Sequence, residues 1–188
     1  MSLKAGFNSP DANVVELSFL TNDHLIVGVT DYRRTKVGRD QFIFNIKKNK
    51  KIKLNWGAQV SANSFSRGWM RDLFRGNIPI YGIDENSAKL AMGQFDKFRS
   101  TALYLADLET GKSSLLERGT RQTRSWMVDR ENNPLIRIDR DEDNNKINFF
   151  VKKNKWQFLI TLEDMWDIRW SLSENQDKLH ILGGKLDF

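Results

Sequence analysis

The feature of this sequence that most restricts its fold is a repeated order of short apolar runs and polar turns. Three segments, 14–57, 77–119 and 123–164, each read strand, polar turn, strand, longer polar loop, strand, tight turn, strand. A fourth segment, 165–184, begins in the same way and stops after two strands. A repeat of roughly 40–45 residues that carries four antiparallel strands is typical of a β-propeller blade.

The turns between the predicted strands carry similar residues at corresponding places in successive units. Asparagine and glycine separate the strand runs, as turn-forming residues do. Gly111 is expected at a positive φ in the hairpin between the third and fourth strands of its unit, because glycine adopts that backbone without strain. The recurring residues are Asn22, Asn86 and Asn132 in the first turn and Asn49, Gly111 and Asn154 in the last.

Blade stacking follows from the need to bury apolar faces. A single four-stranded meander cannot bury both faces, whereas blades that stack radially cover one another and leave only short edges. The predicted fold is therefore all-β, an incomplete β-propeller of about three and a half consecutive four-stranded antiparallel blades. These blades form one partial domain over residues 1–188, and the strand-poor segment 57–76 is predicted to be an insertion between strands.

Large aromatic rings suit the widening gaps between neighbouring blades of such a fold. Four tryptophans lie in or beside predicted strands and are expected in the core, namely Trp126, Trp156, Trp166 and Trp170. Trp69 lies inside the insertion and is the tryptophan expected to be exposed.

The composition excludes several classes of function. The chain has no cysteine, which excludes disulfides, thiolate metal sites and cysteine nucleophiles. Its two histidines, His24 and His180, are too few for a histidine metal cluster, and their equivalent blade positions indicate structural roles. No apolar run approaches the ~18 residues of a membrane helix, and residues 1–10 carry no signal-peptide core. No membrane partner is therefore predicted.

The net charge of +6 raises the question of a nucleic-acid partner. The excess of lysine and arginine lies early in the chain, in 33–39 and 47–53. The second cluster flanks a turn between strand-like runs, where lysines keep sheet edges soluble. Phosphate binding would need these cations on one face with aromatic residues between them. No nucleic-acid partner is predicted.

Two motif fragments each lack a required residue. The string ETGKSS ends like a phosphate-binding loop, but Ala106 stands where the first glycine of that loop is needed. Residues 139–150 begin like a calcium loop, with Asp139, Asp141 and Asp143 at alternate positions. Asn144 then replaces the central glycine and Phe150 the final glutamate, which excludes an EF-hand.

Paired carboxylates also fail to form a convincing site. Asp84 with Glu85, and Asp141 with Glu142, are adjacent on turns, so their side chains point apart rather than flanking a substrate bond. No catalytic, cofactor-binding or metal-binding residue is therefore predicted, and no cofactor is implied.

Three stretches resemble the blades of TolB-like and dipeptidyl-peptidase-like propellers. WSLSENQDKLHI (170–181) is similar to their W-S-x-D-G-x-x-[IL] motif, with Glu174 and Asn175 where Asp-Gly is usual. LYLADLETGKSSLLERG (103–119) is similar to their closing strands. Residues 120–159 resemble the N-terminal propeller of prolyl-oligopeptidase-family serine peptidases, of the bacterial acylaminoacyl-peptidase or dipeptidyl-aminopeptidase type.

This resemblance implies a parent protein in which an α/β-hydrolase domain follows the propeller, while the propeller restricts access and docks peptide substrates. The hydrolase requires a G-x-S-x-G elbow that exposes its serine. The nearest string here is GKSSL, with Leu115 where glycine is required. The chain is therefore expected to be a non-catalytic cap, a fragment without its hydrolase. No motif for binding a peptide amino terminus is present, so Glu85, Glu109 and Glu174 receive no role.

Two other functions stay open at this point. One is a stand-alone TolB-like propeller that acts as a protein–protein interaction module. The other, an independent propeller enzyme such as a glycosidase or lactonase, is disfavoured because no metal or carboxylate constellation supports it. The expected partners are the hydrolase domain of the same parent chain, peptide substrates, and a second copy bound through an open blade edge. The compartment stays open between a periplasmic or secreted parent and a cytoplasmic one.

Overall fold

A computed structural model describes residues 12–31, 38–52, 79–95, 101–163 and 168–183, and these residues form strands and turns without a helix. The strands are β1 (Ala12–Thr21), β2 (His24–Asp31), β3 (Gly38–Asn45), β4 (Lys50–Ile52), β5 (Ile80–Asp84), β6 (Lys89–Phe95), β7 (Thr101–Asp107), β8 (Ser113–Glu117), β9 (Thr123–Val128), β10 (Pro134–Asp141), β11 (Lys146–Lys152), β12 (Trp156–Glu163), β13 (Arg169–Leu172) and β14 (Leu179–Leu182).

Within each sheet, strands that are consecutive in the chain pair with each other, so every sheet is an antiparallel meander. Strands β1–β4, β5–β8 and β9–β12 form three four-stranded sheets, and β13–β14 form a two-stranded sheet. We name these sheets blades 1, 2, 3 and 4. They confirm the predicted all-β class built from consecutive four-stranded antiparallel units. The predicted insertion 57–76, with Trp69, lies outside the described residues, as does Trp166.

The hairpin before β8 shows how turn chemistry ends a strand. Gly111 has φ 74°, which confirms the positive φ expected there. The Asp107 carboxylate accepts hydrogen bonds from the backbone N–H groups of Glu109 at 3.0 Å and Thr110 at 2.7 Å. The Gly111 N–H then donates to the Asp107 carbonyl at 2.8 Å. A local side chain and a glycine thus close the turn together.

Blades 1 and 2 pack through aliphatic side chains from their central strands. Ile26 and Ile43 are cross-strand partners in blade 1, and both are fully buried. They belong to one apolar cluster with Leu90 and Met92 of blade 2, which are also fully buried. Because side chains alternate across a strand, this cluster uses one face of each sheet.

Tryptophan packing joins blade 2 to blade 3. Trp126 of β9 is 2% exposed, which confirms its predicted core position. Its indole N–H donates to the Thr101 carbonyl of blade 2 at 2.8 Å, and its ring lies 5.6 Å from that of Trp156. Trp156 is half-buried in the same cluster. The indole polar group is satisfied, so the ring can occupy the inter-blade core.

Blades 3 and 4 pack around a second aromatic pair. Phe149 of β11 is fully buried, and Trp170 of β13 meets it edge-to-face with ring centroids 5.7 Å apart and an interplanar angle of 80°. Ile138 and Ile181 complete the contact from the two blades. Trp170 is half-buried, so part of its surface remains accessible. Each blade thus buries one face against the next in chain order.

Candidate functional site

A cleft of about 500 Å³ lies where the first strands of blades 2, 3 and 4 come together. Its volume falls in the range of small-ligand pockets, roughly 300–1,000 Å³. The lining residues are Ile80 and Tyr81 of β5, Ser125, Trp126, Met127 and Val128 of β9, Trp170 and Leu172 of β13, and Ser173, Glu174 and Gln176 of the turn that follows. Strands β5, β9 and β13 are equivalent in their blades, so the repeat itself creates the cleft.

One wall of the cleft is a phenol held in its neutral form. Desolvation by burial raises the pKa of Tyr81 to about 12, and a hydrogen bond with the Ser125 side chain lowers it by a smaller amount. Tyr81 comes from blade 2 and Ser125 from blade 3, so this hydrogen bond crosses the blade boundary. At neutral pH the phenol keeps its proton and contributes an uncharged, largely apolar surface.

The turn between β13 and β14 forms the rim of the cleft. The Ser173 hydroxyl donates to the Asp177 carboxylate at 2.7 Å and accepts from the Lys178 N–H at 3.1 Å. Gln176 has φ 60°, and its N–H donates to the Ser173 carbonyl at 2.8 Å. These bonds hold the turn that carries Glu174 in one conformation.

Blade 3 braces this rim from the side. The Arg130 guanidinium donates to the Glu174 carbonyl oxygen at 3.1 Å. The Glu174 carboxylate itself is exposed and has no ion pair or hydrogen bond with any residue of the described chain. Glu174 is also the one charged side chain among the described residues that line the cleft. The cleft therefore combines aromatic walls with a single unneutralised negative charge.

His24 lies in a separate polar joint between blades 1 and 2. It is 3% exposed, and its Nδ1 lies 2.9 Å from the Thr21 hydroxyl. The Asn45 amide donates both to His24 Nε2 at 3.0 Å and to a Glu109 carboxylate oxygen at 3.2 Å. The Lys48 N–H fixes this amide by donating to Asn45 Oδ1 at 2.8 Å. His24 Nε2 therefore accepts, which leaves Nδ1–H to donate to Thr21.

Glu109 connects this joint to blade 2. Its carboxylate accepts a hydrogen bond from Lys48 Nζ, which lowers the pKa of Glu109, and the positive charge of Lys48 lowers it further. Each group in the joint has a partner within the joint. The predicted structural role of His24 is therefore consistent with its surroundings, while His180 lies exposed on β14.

Asn132 forms a second joint, between blades 2 and 3. It is 1% exposed at φ 66°, and its amide nitrogen donates to the Lys89 carbonyl at 3.2 Å. Its buried Oδ1 has no hydrogen-bond partner. This oxygen lies against Gly82, where an added Cβ would stand 2.7 Å from Asn132 Oδ1 and 2.5 Å from Val128 Cγ2. The close approach of the two blades here requires glycine.

The acidic residues that begin like a calcium loop are engaged elsewhere. Asp139 is 3% exposed and makes a two-point contact with the Arg137 guanidinium, with both nitrogen–oxygen distances 3.0 Å. The Thr123 hydroxyl also donates to Asp139 at 2.7 Å. Asp141 instead accepts from the Asn144 side chain at 2.9 Å. Among the residues that the structure describes, no group of three or more acidic or histidine side chains could hold a metal ion.

The residues of the cleft were not predicted from the sequence. Tyr81, Ser125 and Trp170 are far apart in the chain and carry no motif of a binding site. A partial signal existed in the blade motif that runs from Trp170 to Ile181, because it contains Glu174 four residues after the tryptophan. The motif shows that a tryptophan and a glutamate lie close together in the chain, but it does not show that they line a cleft.

Comparison with known proteins finds similarity among solved structures only. No protein-family model matches the chain, and no curated protein matches it. A solved structure described as the β-propeller domain of the Trilobed protease from Pyrococcus furiosus, with an open velcro topology, has 14% sequence identity and a TM-score of 0.48. The similarity covers 92% of this chain and 48% of that one. Within its described residues the chain forms no helix with the length and apolarity needed to cross a membrane.

Proposed function

We propose that this chain is a non-catalytic β-propeller domain that docks peptide substrates and restricts their access to a serine peptidase of the prolyl-oligopeptidase family. In this proposal the α/β-hydrolase domain belongs to the same parent chain. The observation that carries the proposal is the cleft formed by β5, β9 and β13. Its aromatic walls can contact the side chains of a peptide, and its rim of hydrogen-bonding groups can contact the peptide backbone.

The non-catalytic assignment rests on local structure as well as on sequence. Ser113 and Ser114 follow Gly111 in the string nearest to a nucleophile elbow. They lie in strand β8 directly after a hairpin, whereas an elbow places its serine on a strained turn between a strand and a helix. This segment therefore adds the last strand to blade 2 and does not have the geometry of a nucleophile elbow.

A stand-alone interaction module is the second candidate. Exposed apolar side chains on β1 favour it, since Leu17 is 61% exposed and Phe19 is 69% exposed. Contiguous exposed apolar groups mark surfaces that bind other proteins. Under this alternative the first-strand cleft would not bind peptides, and that difference separates the two functions.

Photo-crosslinking tests the docking function directly. The purified chain would be irradiated with short unstructured peptides that carry a photoreactive phenylalanine, and the crosslinked sites would be mapped by mass spectrometry. We expect crosslinks on β9 and on the turn after β13, and competition by the unlabelled peptide. Crosslinks spread over the surface, or confined to β1, would contradict docking in the cleft.

An activity assay tests the other half of the proposal. The same purified chain should not hydrolyse peptide, ester or aminoacyl substrates. Turnover that a serine-directed inhibitor abolishes, and that mass spectrometry traces to an acylated serine of this chain, would show that the chain is itself the enzyme.

A further inference from the structure

We infer that the cleft selects peptides through a basic side chain, lysine or arginine, held between the Trp170 ring and the Glu174 carboxylate. This inference deepens the proposed function and rests on its placing of a peptide in the cleft. It adds a chemical class of ligand and two residues that would recognise it.

The charge of the cleft supports a cationic ligand. Glu174 is the one charged side chain among the described lining residues, and its carboxylate has no partner in the described chain. The nearest engaged cation, Arg130, donates to the Glu174 carbonyl rather than to its carboxylate, and no ion pair between the two side chains is formed. By its sign, this carboxylate would attract a cation and repel an anion.

The aromatic wall supports the same class of ligand. The Trp170 ring meets the Phe149 ring edge-to-face. Trp170 is half-buried and lines the cleft, so part of its indole is accessible there. The face of an indole attracts lysine and arginine cations, and it does so more strongly than a phenyl ring. The Tyr81 phenol is neutral and adds no competing charge.

The boundary between blades 2 and 3 already contains this arrangement, with lysine and tryptophan from blade 3 and glutamate from blade 2. Lys152 Nζ lies 4.9 Å from the centre of the Trp156 ring and pairs with the Glu117 carboxylate. The Trp156 indole nitrogen lies 3.5 Å from the same carboxylate. The cleft repeats two of these three components, a tryptophan and a glutamate, and leaves the place of the cation to a ligand.

The rim offers neutral groups for the rest of a peptide. The Gln176 side-chain amide makes no hydrogen bond within the described chain. It can donate to a peptide carbonyl and accept from a peptide N–H. Recognition would then combine one charged contact that selects the side chain with neutral contacts that do not depend on sequence.

Binding of matched peptides tests the selection. Four capped pentapeptides, with lysine, arginine, norleucine or glutamate at the centre of four alanines, would be titrated into the purified chain and followed by fluorescence anisotropy. We expect the lysine and arginine peptides to bind about 5- to 30-fold more tightly than the norleucine peptide, the range of a partly desolvated cation–aromatic contact. The glutamate peptide should bind most weakly.

Variants of an exposed side chain separate recognition from folding. Glu174→Gln should reduce the preference for lysine over norleucine to the part that the Trp170 ring supplies, and leave the affinity for norleucine unchanged. Glu174→Lys should reverse the order of the lysine and glutamate peptides. Glu85→Gln is the matched control, because Glu85 is also an exposed carboxylate on a blade turn and lies outside the cleft.

Three outcomes would count against the inference, and they differ in what else they affect. Equal affinities for all four peptides, with crosslinks still in the cleft, would exclude basic selection and leave the docking function intact. Absence of binding by every peptide would overturn both. A preference for lysine that is undiminished in Glu174→Gln would show that Glu174 does not recognise the cation.

Discussion

At the scale of single residues, this protein depends on a few positions where backbone or burial permits one kind of side chain. Gly111 takes a left-handed backbone in a hairpin that Asp107 closes. The Tyr81 phenol is desolvated between two blades, which raises its pKa to about 12. The turn glycine can be changed without touching an apolar cluster, and Tyr81→Phe removes the phenol oxygen while it keeps the ring in its cluster.

Gly111→Val should destabilise the chain by more than ~1 kcal/mol, because a β-branched residue is strained at positive φ. The free energy of unfolding, measured by urea denaturation, checks this. Gly111→Asn is the control, since asparagine tolerates that backbone better than valine, and it should recover part of the loss. Equal stability of the valine variant and the native chain would mean that the turn does not require glycine.

Tyr81 should make folding weaker at high pH. Because the folded-state pKa is about 12 and the ordinary value is 10.0, the unfolded chain releases this proton first. The stability that Tyr81 contributes is therefore complete below the ordinary value and is lost as the pH rises toward the folded value. Urea midpoints across that range should fall more steeply for the native chain than for Tyr81→Phe. Parallel pH profiles for the two proteins would contradict the burial of this phenol.

At the scale of elements, the joints between blades decide how the sheets are held together. Blades 2 and 3 approach closely at Gly82, where Val128 and Asn132 meet the backbone of β5. Blades 1 and 2 share a hydrogen-bonded joint from His24 to Glu109. The contact at Gly82 depends on steric fit, whereas the joint from His24 to Glu109 depends on hydrogen bonds and charge. The two therefore respond to different perturbations.

Gly82→Ala should destabilise the contact between blades 2 and 3. The new methyl group would stand 2.5 Å from Val128 Cγ2, so a side chain or the backbone must shift. Overpacking of this kind costs ~1–3 kcal/mol. A double-mutant cycle with Val128→Ala measures the coupling through urea denaturation. Additive losses in the double variant would show that the two positions do not meet.

Glu109 should make the joint between blades 1 and 2 sensitive to acid. Its hydrogen bond with Lys48 lowers its pKa from the ordinary value of 4.5. Stability from this group is therefore present above that value and is lost as the pH falls through the lowered folded value. Glu109→Gln should be less stable than the native chain at neutral pH, and the difference in urea midpoint should shrink as acid is added. A difference that stays constant with pH would exclude the ionic contribution.

At the scale of the whole molecule, the blades cover one another in chain order and leave some apolar surface exposed. On β1, Leu17 and Phe19 face outward, and on β14 Leu182 is 70% exposed. Side chains of this size and exposure at strand edges promote association unless something blocks them. The chain is therefore expected to self-associate through blade edges, as proposed from the sequence.

Sedimentation across a dilution series checks this expectation. The native chain should shift from monomer toward dimer as its concentration rises, and Phe19→Ser should weaken the association. Ser18→Thr serves as a control, because Ser18 is an exposed, uncharged polar residue of the same strand as Phe19. A native chain that stays monomeric and folded at high micromolar concentration would contradict the proposal.

The strands, their grouping into units and their turns follow from local patterns along the chain. Alternating apolar residues, polar breaks and a recurring unit are local signals, so three meanders and the positive φ of Gly111 could be predicted without coordinates. Trp126 in the core followed from its size and its place in a strand. These properties depend on neighbours within a few residues or one hairpin, which the chain order specifies directly.

The contacts between residues far apart in the chain follow from how the blades pack against one another. Tyr81 and Ser125 are bonded across a blade boundary, and Asp139, which begins a calcium-like string, is committed to Arg137. Trp170 and Glu174 become a site because two other blades supply the remaining walls. Such contacts depend on how closely and at what angle neighbouring sheets stack. That packing is set by many side chains at once, and no spacing within the sequence records it.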